Sequence, residues 1–477
     1  MKRLFGLVVL LAACTQRPEL PAPVLPLTPS PDEPFRATPP AVEATPLDAP
    51  EVRSAVLTNG MRVLVVERPA LPLVTLAWAS RGARDGAELH ERGLAALTAR
   101  ALTTGTRLGD GRELAHVRIN GEVPRLSVGE DGTVISVHTP AAGLGVGIEV
   151  LAEVVRRPTF TAPGIQAARA DQLEAMLWHS NRVDYELRDA ALLGLFGDEH
   201  PPVTAFGRHA DVIRFTRDAV TQFYATHYAP ENSALVAVGA VTLEQMVGLA
   251  ERHFGDWPRG DKPVSAAAPL ALLAPSKRIQ GIAGGGHQAW FTLALPCPAA
   301  GDAHEADFDL LGMVLGNLPL SRTTRLLRHE EGIAYAVSAR CEETSSRGTF
   351  WVEFSVDPER GGDALTLVLK EIGRLRTEDI PSTELELAKI QLLGRFGGGL
   401  STNAGILQAV AGDFLRGQPP DGIARWLDAV RAATSARVRE SARLYFTGHV
   451  GIATYGPRDL VQFAIAPLGG ADWWEVR

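Results

Sequence analysis

Two hydrophobic rhythms run along the chain. Apolar runs of five to eight residues, alternating or continuous, mark strands, and apolar residues spaced three and four apart mark helices. Residues 54–58 and 61–67 are strand-like and flank Asn59-Gly60, a dipeptide that favours a two-residue hairpin. A third strand is predicted at 74–80. Next comes Gly93-Leu94-Ala95-Ala96-Leu97-Thr98-Ala99-Arg100-Ala101-Leu102-Thr103-Thr104-Gly105, a mostly apolar helix with a glycine at its entry and another past its end. Helices follow at 112–119 and 144–155, with a hairpin at 126–137 between them. Long helical stretches at 162–179 and 185–195 lead through a loop to a helix at 216–224, with Thr216 as its N-cap. The apolar strand 233–239 and the helix 242–253 close this unit.

The plan then repeats. A strand at 289–295 precedes a helix at 305–315, which takes the place of the Gly93 helix. A helix at 321–331, strands at 335–340 and 349–356, five helices between 364 and 445, and a strand at 450–455 complete the pattern. Strands grouped first and helices after, twice over, predict an α+β protein of two homologous domains. Each would be a mainly antiparallel sheet with helices packed on one face. The boundaries fall at 51–261 for the N-terminal domain, 262–277 for an Ala- and Pro-rich linker and 278–477 for the C-terminal domain.

Composition narrows the picture. A chain of 477 residues with 45% hydrophobic and 21% charged residues reads as folded and globular. A formal charge of −8, with no run of Lys and Arg, gives no reason to expect nucleic acid. Lys2 and Arg3 precede an apolar stretch at 4–12 that is too short to span a membrane. Leu11-Ala12-Ala13-Cys14 resembles a bacterial lipoprotein signal, which makes 1–13 the removed peptide and Cys14 the lipidated residue. A plain secretory signal is the alternative. With Thr15 rather than Asp after the cysteine, the expectation is a bacterial cell-envelope protein, lipid-anchored in the outer membrane and facing the periplasm. Residues 14–50 form a tether: 11 of the 33 prolines fall in 18–50. Extended at roughly 3.1 Å per residue, that segment would reach up to about 100 Å. Beyond Cys14 only Cys297 and Cys341 remain, and they could pair or stay as two separate buried thiols.

No Gly-x-Ser-x-Gly elbow occurs, and the triple glycines at 284–286 and 397–399 lack the lysine of a phosphate loop. Other segments carry more. Residues 57–63, His200-Pro201 with Gly207, the run from Phe223-Tyr224 to Asn232, residues 236–239 and Phe254-Gly255-Asp256-Trp257 resemble, in order and spacing, the insulinase/pitrilysin group of zinc peptidases. So do Ser321-Arg322 and the run Leu327 to Tyr335 in the second half. In that family a His-x-x-Glu-His helix holds zinc, and positions i, i+3 and i+4 share one helix face. Registered on this chain, the two His positions fall on Ala96 and Arg100 and the Glu position on Ala99. Alanine has no donor atom, and arginine keeps its proton and offers no lone pair. The resemblance places the remaining acidic ligand in 166–176, where Asp171 and Glu174 stand alone; their ordinary reading is a solvated helix face.

By the same resemblance, Arg328 and Tyr335 are the residues that hold a substrate peptide's carbonyls. The resemblance therefore implies a non-catalytic, substrate-binding subunit of a heterodimeric zinc endopeptidase. No cofactor would be bound by this chain, zinc being expected in a paralogous partner, and the partners would be that subunit, peptide substrates and, through the anchor, the membrane. The alternative is a pseudoenzyme lipoprotein that binds peptides or scaffolds an envelope complex. A third reading recruits a replacement metal site from His304-Glu305, His329-Glu330-Glu331 or His200. Trp473-Trp474 could contact a partner or pack internally.

Overall fold

The computed structural model describes residues 47–81, 93–104, 124–180, 182–197, 205–260, 272 and 279–475, with side chains as far as Asp472. Cys14, the signal segment, most of the tether, the helix expected at 112–119 and most of the linker lie outside the described residues.

The first sheet is built from β1 (Arg53–Val56), β2 (Arg62–Glu67), β3 (Leu73–Ser80), β4 (Arg125–Val128), β5 (Thr133–Pro140) and β6 (Ser233–Gly239), in the order β1-β2-β6-β3-β5-β4. Only β2 and β6 pair in parallel. The β1–β2 turn is one residue longer than Asn-Gly suggests. Leu57 N–H donates to the Met61 carbonyl at 2.9 Å, leaving Thr58, Asn59 and Gly60 in the loop. The reason is the asparagine itself: its buried side-chain amide donates to the carbonyls of Phe254 and Trp257 at 2.7 and 3.3 Å, tying the turn to the end of a distant helix.

The second sheet contains β7 (Ile279–Ala283), β8 (Ala289–Cys297), β9 (Ala334–Glu343), β10 (Gly348–Val356), β11 (Gly451–Gly456) and β12 (Ala471–Glu475), in the order β12-β7-β11-β8-β10-β9. Five strands of each sheet follow one scheme, with β7-β11-β8-β10-β9 repeating β2-β6-β3-β5-β4, including the single parallel pair. The repeat read from the alternation is therefore a repeat of topology. Two strands escaped the sequence pattern, β7 and β12, and both pair in parallel at the far edge. Parallel pairing leaves no turn between partners for a sequence to announce.

The helices are α1 (Leu94–Thr103), α2 (Leu144–Arg156), α3 (Ala162–Ser180), α4 (Val183–Phe196), α5 (His209–Val212), α6 (Arg217–His227) and α7 (Leu243–Phe254) in the first half. The second half has α8 (Glu305–Gly312), α9 (Arg322–Thr324), α10 (Gly361–Thr377), α11 (Ser382–Gly399), α12 (Asn403–Leu415), α13 (Gly422–Ala432), α14 (Ser435–Tyr445) and α15 (Arg458–Ile465). Thr216 caps α6 as its sequence predicts, and Thr242 with Gln245 forms a full capping box on α7.

Because side chains alternate along a strand, one face of the first sheet presents Val63, Val65, Leu76 and Trp78 to α1, α2 and α7. Its other face, with Leu64, Val66, Ala77 and Ala79, is equally apolar and is covered by Ile406, Leu407, Val410 and Phe414 of α12. That helix comes from the second half. The exchange is mutual: α4 of the first half lays Leu187, Ala191 and Leu195 on Ile282, Ala294 and Trp351 of the second sheet. A Cβ on Gly451 would collide with the Ala191 carbonyl, so only glycine lets α4 approach β11 this closely. Each half keeps its own helices on one face, as the alternation implies, and borrows a helix for the other. Equivalent hairpins also meet across the seam, through the Arg347–Glu130 ion pair at 2.7 Å and a bond from Ser345 N–H to the Asp131 carboxylate at 2.8 Å. Leu47 to the C-terminus forms one compact unit.

Cys297 and Cys341 are joined as a disulfide, with Cα atoms 6.3 Å apart. They stand on β8 and β9, on either side of β10.

Candidate functional site

The helix that would carry a metal site is α1. It starts at Gly93, whose φ of 90° is open to glycine and costly for other residues. Space enforces the same choice, since a Cβ there would strike the carbonyl of Phe206. The helix ends where Thr103 and Thr104 hydroxyls both donate to the Arg100 carbonyl, at 3.0 and 2.8 Å. Gly105 lies outside the described residues.

Ala96 and Ala99 are wholly buried, their methyl groups sealed in packing. Arg100 is half-buried with its guanidinium carbon 5.1 Å from the centre of the Phe206 ring. Burial draws its pKa below the ordinary arginine value, while the charge of Asp171 on α3 works the other way. The zinc positions are thus two methyls and a cation that repels any divalent ion placed beside it. These residues do not fit zinc, and no step of catalysis can be built on them.

The downstream helix α3 supplies a surprise. Asp171 and Glu174 are exposed, but Gln172 between them is fully buried. Its amide donates to the carbonyls of Gly93 and Phe206 at 3.0 and 2.7 Å, fastening the entry of α1 to the Phe206 segment. Sequence reading passed over Gln172. The signal was there, since Ile165, Ala168 and Gln172 form the buried stripe of α3, and a glutamine on an apolar stripe calls for a partner.

The second half offers the opposite picture. α9 runs into a π-helical turn at Arg325–Glu330, and β9 starts at Ala334. This brings together two side chains seven positions apart: the Arg328 guanidinium carbon lies 5.1 Å from the centre of the Tyr335 ring. Both are exposed, and Tyr335 retains 73% of its accessible surface. Earlier in the same segment Arg322 and Glu384 form an ion pair at 2.8 Å, and Ser321 caps α9. The Arg328–Tyr335 pair offers several N–H donors and one O–H to solvent.

The replacement metal sets are dispersed. His304 lies 2.8 Å from the Ser441 hydroxyl, which donates to the buried Asp307 carboxylate at 2.7 Å. Glu305 accepts from Gly301 N–H at 2.6 Å. Glu330 and Glu331 are paired with Arg325 and Arg360, each at 3.3 Å. His200 lies outside the described residues, and so do the side chains of Trp473 and Trp474, whose backbones pair within β12. Among the described residues, the potential ligands that converge are Cys297, Cys341 and Glu343, and there the two sulfurs are consumed by the disulfide.

The two sheets repeat one topology, each backed by its own helices and covered on its other face by a helix of the other half, and α1 beside the first sheet carries no metal ligand. Residues 214–392 match the family model described as "Peptidase M16 inactive domain". That region is similar to the M16 peptidases, the insulinase-like family, and the sequence contains no His-x-x-Glu-His motif. The chain is 22% identical over 424 residues to an "Uncharacterized zinc protease" of Rickettsia bellii, covering 85% of this chain and 98% of that one. It is 22% identical over 363 residues to the mitochondrial-processing peptidase subunit beta of Bos taurus, covering 73% and 72%. A crystal structure of a peptidase M16 inactive domain from Pseudomonas fluorescens superposes with a TM-score of 0.75 at 21% identity, covering 85% of this chain and 98% of that one. That likeness carries the fold.

Proposed function

We propose that this chain is the non-catalytic, substrate-binding subunit of a heterodimeric zinc endopeptidase, lipid-anchored through Cys14 in the bacterial outer membrane and facing the periplasm. The observation that carries the reading is the pairing of Arg328 with Tyr335, both exposed, in a chain whose α1 has no metal ligand. Hydrolysis would belong to the complex: a zinc-bearing paralogue would supply the metal chemistry, while Arg328 and Tyr335 donate hydrogen bonds to peptide carbonyls and fix their orientation. The naming of a relative as a subunit of a processing peptidase supports an assembly of this kind. The zinc would reside in the partner.

The test is reconstitution. Pull-down from native envelopes should recover a zinc-helix paralogue, and mixing the purified chains should produce peptidase activity that neither has alone. Recovery of unrelated envelope proteins only, with no gain of activity on mixing, would favour the alternative of a peptide-binding or scaffolding lipoprotein.

A further inference from the structure

Far from α1, between α10 and β11, the second half holds a cavity of about 250 Å³. Its walls are apolar, with Leu295, Leu365, Ile372, Phe446 and Ile452 all buried. Two titratable side chains line it, Arg376 and His449. His449 is engaged with the Thr447 hydroxyl at 2.8 Å. Arg376 is different: its Nε is buried without a hydrogen-bond partner, and among the described residues it makes no ion pair.

Both features carry a cost. Water held against apolar walls gains little from them, so an aliphatic ligand that displaces it is favoured. A buried N–H with no acceptor loses its hydration and gains nothing in return. One kind of molecule cancels both costs, namely an aliphatic body that fills the void and a single anionic head that meets the guanidinium. We propose that this cavity is a binding site for an aliphatic carboxylate, with Arg376 holding the head and the walls of α10 and β8 the tail. A free fatty acid and the C-terminal leucine of an apolar peptide present that same chemistry. The inference stands independently of the peptidase reading.

Gly373 makes it testable. It lines the cavity from α10, and a Cβ built there meets nothing within 4 Å, so a larger side chain would grow into open space. Calorimetric titration of the whole purified chain should show saturable binding of octanoate, or of an acetylated leucine tripeptide with a free C-terminus. The arm that binds identifies the source. Arg376→Gln should weaken that carboxylate about tenfold or more, a charge-assisted hydrogen bond's worth, while leaving 1-octanol within about twofold. Gly373→Leu should abolish all binding yet leave the melting temperature unchanged or higher, because a helix-interior glycine is removed. Failure of both carboxylates to bind, or binding that survives Gly373→Leu, would overturn the proposal.

Discussion

The α1 positions and the Arg328–Tyr335 pair occupy opposite physical situations. At α1 the residues that would do chemistry have been replaced by residues that pack: two sealed methyls, an arginine laid on an aromatic ring and a glutamine stapling the helix entry. At the start of β9 a tyrosine and an arginine stay in solvent, stacked on each other, where they bury little and stabilise little. Buried positions released from a function are recaptured by packing, because an unfilled or unpaired site there is costly. An exposed aromatic–cation pair contributes little to folding, so its side chains stay free for the substrate role proposed for them.

That contrast can be broken from either side. The largest effect should come from Ala99→Glu, which places a carboxylate in sealed packing and should cost on the order of 3 kcal/mol or more in chemical denaturation. A variant as stable as the parent would mean that the α1 site retains room for chemistry. Arg328→Ala and Tyr335→Phe should behave the other way. Each should lower turnover of the reconstituted complex by about tenfold or more while shifting stability by no more than about 0.5 kcal/mol, as exposed positions do. Gln172→Ala should fall between, at about 1–3 kcal/mol, because two buried carbonyls lose their donor.

A further effect, seen in pH dependence, concerns α8, the second-half counterpart of α1, which buries Asp307 and half-buries Asp309 where α1 buries methyls. Asp309 is pushed up to about 7, chiefly by burial and further by the charge of Glu305, against the indole N–H of Trp426 and the charge of Arg416. Burial likewise raises Glu305 and Glu343. The native state therefore keeps the Asp309 proton after the unfolded chain has lost it. Stability falls as pH rises from the ordinary aspartate value toward about 7 and is level above that. Asp309→Asn removes the cost of the charge, so its melting temperature should exceed that of the parent by a margin that widens from pH 5 to pH 8. A margin independent of pH would assign the effect to packing instead.

Much of the fold was legible. The doubled strand-and-helix pattern, the cap at Thr216 and most strands are local signals, and Arg328 and Tyr335 could be singled out because their segment resembles a known one. What escaped is non-local. An apolar strand face does not say which helix covers it, so the lending of α4 and α12 between halves cannot be read from either element alone. The disulfide between Cys297 and Cys341 joins strands that are not neighbours, with β10 between them, and no local signal in either segment announces that. The three-residue turn at Asn59 departs from its local preference because the asparagine is spent on Phe254 and Trp257. Gln172 was visible only as a polar residue out of place on a stripe.

The proposed role depends on α1 supplying no ligand for the ion that gives relatives the name zinc protease. Metal analysis of the purified, isolated chain after exchange into zinc-containing buffer tests it most directly. The account predicts zinc far below one equivalent and no chelator-sensitive proteolysis. One tightly held zinc per chain, with peptide cleavage that a chelator abolishes, would contradict it.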